Sequence, residues 1–300
     1  MTTGTRIVTG DNIEVLRGLP ARSVDLVVTS PPYNIGKEYE TRRRLADYLE
    51  GFRPLLHELA RVLKPSGSIA WQTGNYVQDG EVFPLDIYFY PLFKELGLQL
   101  RNRIVWHFGH GLHARTRFSG RYETILWFTM SERYVFNLDD VRVASKYPGK
   151  RNFKGPRRGE LSGDPRGKNP EDVWEILHDD WDAGVWDIVN VKSNHVEKTG
   201  HPAQFPVELV ERLVLALSPA GGVVLDPFGG VGSTLIGAEK NGRVGVSIEI
   251  DERYSEIARA RLAALRDGTL VTRPMGRPIH VPGGEAAARV PAEWVGRGVY

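Results

Sequence analysis

The chain contains no cysteine. That absence excludes disulfide frameworks, thiolate-ligated zinc and every mechanism built on a thiolate nucleophile. Long apolar runs are missing too, and nothing in the sequence approaches the roughly 18 residues that a membrane span requires. The opening residues, MTTGTRIVTG, lack the apolar stretch of a secretory leader, so a cytoplasmic chain with no membrane partner is expected. A net charge of one sign is also scarce, because 39 Lys and Arg against 37 Asp and Glu leave only +2. What is present is an ordinary globular balance of 41% hydrophobic and 25% charged residues over 300 positions. At roughly 150 residues per domain, that length predicts two domains or one large domain with an insertion.

The hydrophobic pattern alternates between strand and helix. Val24-Asp-Leu-Val-Val-Thr29 is a β-branched run stopped by Ser30-Pro31-Pro32 and predicts a buried strand. Leu45, Tyr48, Leu49, Phe52, Leu55, Leu56, Leu59, Val62 and Leu63 follow helical spacing, and a strand over residues 68–72 follows. Further strands are expected over residues 98–107, 123–129, 223–226 and 244–248. Helices are expected over residues 207–217, from Ser233, and from Tyr254 to Leu265. This order predicts a mostly parallel α/β sheet flanked by helices.

The alternation fails over residues 134–196, which are rich in Gly, Pro, Arg, Lys and Trp and predict an insertion carried by the core. Nine Lys and Arg between positions 142 and 168 face only Glu160 and Asp164, a local net of +7. Such a block is either a solvated loop or a surface that meets a polyanion. Residues 268–300 read as a Pro/Gly-rich tail. His107, His110 and His113 form an HxxHxxH run in a Gly-rich stretch, read as a loop beside the substrate cleft with no metal, since zinc would need a fourth donor and rigid support.

Asp226-Pro227-Phe228-Gly-Gly230-Val-Gly232-Ser233-Thr follows an apolar strand and opens a helix. Glycines there allow a ligand close to the backbone, and the helix start offers free N–H groups. Glu249 ends the next strand, where an acid meets ribose hydroxyls in nucleotide-binding α/β folds. Leu235 stands where the third glycine of a dinucleotide fingerprint belongs, so that fingerprint fails. The loop instead resembles the DPFxGxGT cofactor loop of S-adenosylmethionine-dependent methyltransferases, with serine in the last place. The resemblance implies a Rossmann-like methyltransferase fold and S-adenosyl-L-methionine as cofactor.

Ser30-Pro31-Pro32-Tyr33 lies at a strand end and continues as Asn34-Ile-Gly-Lys-x-Tyr39. It resembles the catalytic motif of amino-methyltransferases, which methylate exocyclic amino groups of bases. The chemistry suits these residue types. A ring-conjugated amino group is a poor nucleophile, and acceptors such as the Ser30 hydroxyl and the Pro31 carbonyl favour its pyramidal form. Tyr33 offers a face for an extruded base. Methylation of cytosine C5 uses a cysteine in the familiar enzymes, and this chain has none.

The catalytic motif precedes the cofactor loop, and that order resembles the β class of DNA amino-methyltransferases, a circular permutation of the common fold. Within that resemblance Asp11, in Thr9-Gly-Asp11-Asn, takes the cofactor adenine, and His201, in Lys198-Thr-Gly-His201-Pro, lines the methionine moiety. Phe205 stands where the family has a basic residue. The resemblance divides the chain into a catalytic half (1–133), a target recognition insertion (134–196), a cofactor-binding half (197–267) and a tail (268–300). Arg157 and Arg158 are picked for contact with double-stranded DNA, and Trp174, Trp181 and Trp186 for packing. Serine at the first motif position is associated with cytosine N4 and aspartate with adenine N6, so a site-specific N4-cytosine DNA methyltransferase is expected. N6-adenine is the alternative, RNA or protein glutamine a further one, and a DNA-binding module without activity a third. The resemblance also implies a homodimer and a cognate restriction endonuclease as partners.

Overall fold

The structure is a computed structural model that describes residues 4–273 apart from 39, 108–113, 146, 148, 175–190 and 192–194. In chain order its first elements are β1 (Arg6–Thr9), α1 (Asn12–Arg17), β2 (Val24–Thr29), α2 (Leu45–Val62) and β3 (Leu63–Thr73). A small hairpin follows, β4 (Asn75–Gln78) and β5 (Glu81–Pro84), then α3 (Leu85–Glu95), β6 (Gln99–His107) and β7 (Tyr122–Thr129). After the two-residue β8 (Val173–Trp174) come α4 (Val207–Leu217), β9 (Val223–Asp226), α5 (Ser233–Lys240), β10 (Val244–Glu249) and α6 (Glu252–Arg266).

Eight strands form one sheet in the order β1-β10-β9-β2-β3-β7-β6-β8. Every neighbouring pair is parallel except the two that involve β7, so β7 alone runs against the rest. All six residues of β2 are buried, as a central parallel strand covered on both faces requires. Its side chains divide between two cores. Val24 and Val27 join the core under α2 and α3, with Phe52, Trp71, Phe89 and Phe128. Leu26 and Val28 join the core under α4 with Trp127, Leu209 and Leu213.

The join between β2 and β9 brings the two ends of the chain's functional sequence together. Leu26 pairs with Val224 and Val27 with Leu225. Beside them the Val223 N–H donates to the Asp25 carboxylate at 2.8 Å, across 198 residues of chain. Asp25 also pairs with Lys64 at 2.7 Å, so this buried acid is satisfied at the foot of the joint.

Three features depart from the sequence expectations. The strands β1 and β8, the helices α1 and α3 and the β4–β5 hairpin were not foreseen. The strand β3 begins at Leu63, ahead of the expected Ser68, with its register shifted before Leu26 pairs with Ser68. The basic segment, expected as an insertion carried by the core, is tied to it at both ends of its described part. Asn137 donates to the Leu215 and Ser218 carbonyls at the end of α4, Val141 is buried beneath it, and β8 extends the main sheet from β6. Among the described residues no helix is long and apolar enough to cross a membrane. The tail beyond Arg273 lies outside the described residues.

Candidate active site

A cavity of about 440 Å³ opens at the carboxyl ends of the parallel strands, where open α/β sheets place their ligands. Gly10 and Asp11 reach it after β1, residues 30–33 after β2, Gln72 at the end of β3, residues 227–231 after β9 and Glu249 at the end of β10. The antiparallel β7 contributes Glu123 from its start, which lies at the same edge of the sheet.

The glycine loop is built from behind by Asp226. Its carboxylate, fully buried, accepts from Thr29 Oγ1 at 2.6 Å, Thr234 Oγ1 at 2.7 Å and the Phe228 N–H at 3.0 Å. Burial pushes its pKa up to about 6 against the pull of those three donors. Asp226 and Gly232, both expected on the cofactor, stand behind the cavity rather than among the residues that line it. The acid ties the loop to β2 and α5, and Gly232, at φ +81°, caps α5 with Ala258 3.0 Å from where a Cβ would sit.

The cavity side of the loop carries Pro227, Phe228, Gly230 and Ser233. Gly230 adopts φ +48°, and a Cβ there would stand 3.3 Å from His201 Nε2. Its N–H donates to Glu249 Oε2 at 2.8 Å, while Glu249 Oε1 accepts from the Asp251 N–H at 2.9 Å. Ser233 spends its hydroxyl hydrogen on the Phe205 carbonyl at 2.9 Å. Phe228 packs 6.0 Å from Phe52, anchoring the loop on the aromatic core of α2. Asp11 caps α1, accepting from the Ile13 and Glu14 N–H groups at 2.9 and 3.0 Å.

His201 stands over Tyr254 edge-on at 4.5 Å, and Tyr254 donates to Glu38 at 2.6 Å. Burial, reinforced by Lys198, pushes the His201 pKa down to about 4, so the imidazole is neutral at pH 7. The segment after the catalytic motif thus reaches across the cavity to α6. Sequence reasoning missed this clasp, because Glu38 and Tyr254 are brought together only by the fold.

Ser30, Pro31, Pro32 and Tyr33 all line the cavity. The buried Tyr48 of α2 donates to the Pro32 carbonyl at 2.6 Å and holds the turn from below. Asn34, 1% exposed at φ +61°, braces it further by bonding both the N–H and the carbonyl of Arg43. Ser30 Oγ lies 2.8 Å from the Tyr33 hydroxyl, which donates to Glu123 Oε2 at 3.1 Å. Gln72 Nε2 donates to the same oxygen at 2.6 Å. Gly74 makes room for the Tyr33 ring, 3.0 Å from where its Cβ would be. Glu123 and Gln72 were missed in the sequence; the only signal was an acid and an amide at the ends of otherwise apolar strands.

In the basic segment several cations serve the fold. Arg142 pairs with Asp139 and Asp164, Arg166 with the same two acids, and Lys168 with Glu171. The local +7 therefore overstates the free charge, since Asp139 and Glu171 flank the counted window. Arg157 and Arg158 are exposed on a turn closed by Asn152 and Glu160, with Arg157 2.9 Å from the Glu160 carboxylate. Trp174 is buried as packing, whereas Trp181 and Trp186 lie outside the described residues. His107 ends β6, and His110 and His113 lie outside the described residues.

Comparison with known proteins follows the same lines. The profile of the N6/N4 methylase family, described as DNA methylase, matches residues 24–260. The type II methyltransferase M.BglII of Bacillus subtilis is 49% identical over 254 residues, covering 84% of this chain and 67% of the relative. The structure of PvuII DNA methyltransferase (cytosine-N4-specific) superposes with a TM-score of 0.65 over 86% of each chain at 22% identity, a likeness of fold. TTHA0409 of Thermus thermophilus, a putative DNA modification methylase complexed with S-adenosyl-L-methionine, superposes with a TM-score of 0.61 at 29% identity, over 86% of this chain and 93% of that one.

Proposed function

The chain belongs to the N6/N4 DNA methylase family, and from that premise we propose that it methylates the exocyclic N4 amino group of cytosine in duplex DNA. It is an S-adenosyl-L-methionine-dependent DNA methyltransferase of the restriction-modification type. The observation that carries the finer reading is the placement of Ser30. Ser30 and Pro31 line the same cavity as the glycine loop.

The cavity suits the cofactor. The Gly230 cradle would be filled by a Cβ, the Glu249 carboxylate keeps lone pairs for ribose hydroxyls, and the neutral His201 sets no charge against a cation. Asp11, Pro227, Phe228, Gly230, Ser233, His201 and Glu249 would hold it, with Asp226 and Gly232 shaping the loop. When bound, the cofactor supplies a sulfonium methyl group that is already electrophilic.

The protein's own part is to present the nucleophile. Ser30 Oγ and the Pro31 carbonyl accept from the two N–H bonds of the target amino group, which draws its lone pair out of conjugation. Pro32 restricts the ψ of the residue before it and so keeps that carbonyl aimed. Tyr33 receives the extruded base on its face. A serine is short, which suits the smaller pyrimidine. Residues 134–196 serve as the target recognition region, with Arg157 and Arg158 on the phosphates.

The test is nucleoside mass spectrometry of unmethylated DNA of varied sequence after incubation with the protein and S-adenosyl-L-methionine. N4-methylcytosine is expected. N6-methyladenine would overturn the assignment of Ser30 to cytosine and leave the family and the cofactor in place.

A further inference from the structure

The hydrogen bonds behind the catalytic motif have a direction. An ionised carboxylate only accepts, Tyr33 has one hydroxyl hydrogen, and Ser30 has one. Gln72 Nε2 and the Tyr33 hydroxyl both donate to Glu123 Oε2, at 2.6 and 3.1 Å. With its hydrogen committed there, Tyr33 can meet Ser30 Oγ, 2.8 Å away, only as an acceptor. The hydrogen in that contact is then Ser30's own. That hydrogen is held by Tyr33, and the serine lone pairs are left for donors that enter the cavity.

We propose that Glu123 is a positioning residue for methyl transfer: through Tyr33 it commits the Ser30 hydrogen and makes Ser30 a hydrogen-bond acceptor toward the target amino group. The proposal rests on the reading of Ser30 given above. The two N–H bonds of an amino group need two acceptors, and a serine hydrogen turned toward them would oppose one. Gln72 has the supporting part of holding the shared carboxylate oxygen. Gly74 leaves the room in which the Tyr33 ring reaches Glu123. Burial raises the Glu123 pKa, and the bonds donated by Gln72 and Tyr33 offset only part of that rise.

The test is a double-mutant cycle on the full chain, read as single-turnover methyl transfer to DNA together with the affinities for S-adenosyl-L-methionine and DNA. Glu123→Gln gives the side chain a donor and removes the obligatory direction. It is expected to slow transfer about ten- to a hundredfold, the range for a hydrogen bond to a charged group, with both affinities unchanged. Tyr33→Phe keeps the ring and cuts the link, and should slow transfer similarly. The double variant should be no slower than Tyr33→Phe alone. Transfer at the wild-type rate in Glu123→Gln, or fully multiplicative losses in the double variant, would overturn the proposal. Should Glu123→Gln not fold, Tyr33→Phe decides: wild-type transfer in it removes the relay. An inactive wild type, or a Ser30→Ala variant with unchanged transfer, would instead sink the reading of Ser30 and this proposal with it.

Discussion

Three donors converge on the Asp226 carboxylate, yet burial still pushes its pKa from the usual aspartate value near 3.8 to about 6. The folded state therefore binds this proton more tightly than the unfolded chain. The stability it contributes is complete below the unfolded value and is lost as pH rises through about 6. The two-unit span corresponds to something on the order of 2–3 kcal/mol. His201 has the opposite sign, since its pKa is pushed down to about 4, and its contribution is lost as pH falls from the unfolded value near 6.5 toward 4. Subtracting a variant separates the two. The Tm of the wild type minus that of Asp226→Asn should decline between pH 4 and pH 6.5, and a flat difference would show that Asp226 does not titrate there. Ser30 behaves differently, because its hydroxyl contacts Tyr33 and not the glycine loop. Ser30→Ala should lower turnover while calorimetry finds the S-adenosyl-L-methionine affinity nearly unchanged. A large loss of cofactor binding would place Ser30 in the wrong site.

The helix α5 shows what an element contributes to that loop. Gly237, in its middle, lies against α4, where a Cβ would stand 2.7 Å from Val210 Cγ1 and 2.9 Å from Val210 Cβ. Gly237→Ala overpacks this contact and should cost about 1–3 kcal/mol. The shift moves the start of α5, and with it Ser233 and the loop, so cofactor affinity should fall together with Tm. Gly163→Ala, which meets nothing within 4 Å, is the control; equal effects in the two variants would remove packing as the cause. Elements with a strong period were legible in the sequence: β2, β9 and β10 as apolar runs, α2, α4 and α6 as stripes. The helix α3 was not, because LDIYFYPLFKE carries Pro91 inside it and leaves Ile87 and Tyr90 exposed, which blurs the apolar stripe. Strand β1 has four half-buried residues at the sheet edge, too short to show a period. The site divides in the same way. Ser30 to Tyr33 and the glycine loop declare themselves by local chemistry. Glu123, Gln72 and Tyr48 acquire meaning only when β3 pairs with β7 and α2 packs beneath the motif, which no local pattern encodes.

At the scale of the whole molecule, the net charge of +2 hides how charge is spent. Arg142 is 13% exposed and is occupied by Asp139, Asp164 and the Gly167 carbonyl. It belongs to the fold of the basic segment. Lys150, Arg151, Lys154, Arg157 and Arg158 instead lie exposed on one turn, closed by Ser162 N–H to the Lys150 carbonyl at 2.8 Å, with Phe153 86% exposed among them. The Arg157–Glu160 pair is open to solvent, and such pairs contribute about 0–1 kcal/mol, so it does little to withhold Arg157 from a polyanion. If this turn meets the phosphates, each cation lost should remove its share of released counterions. Arg158→Ala should then weaken duplex binding about uniformly across sequences and reduce the slope of log K against log salt by roughly one. Cofactor affinity should not move. Arg142→Ala should act through stability instead, lowering Tm because two acids and a carbonyl lose their shared partner. A salt slope unchanged in Arg158→Ala, measured by titration of a fluorescent duplex, would take this turn out of the DNA interface and leave specificity to other parts of the chain.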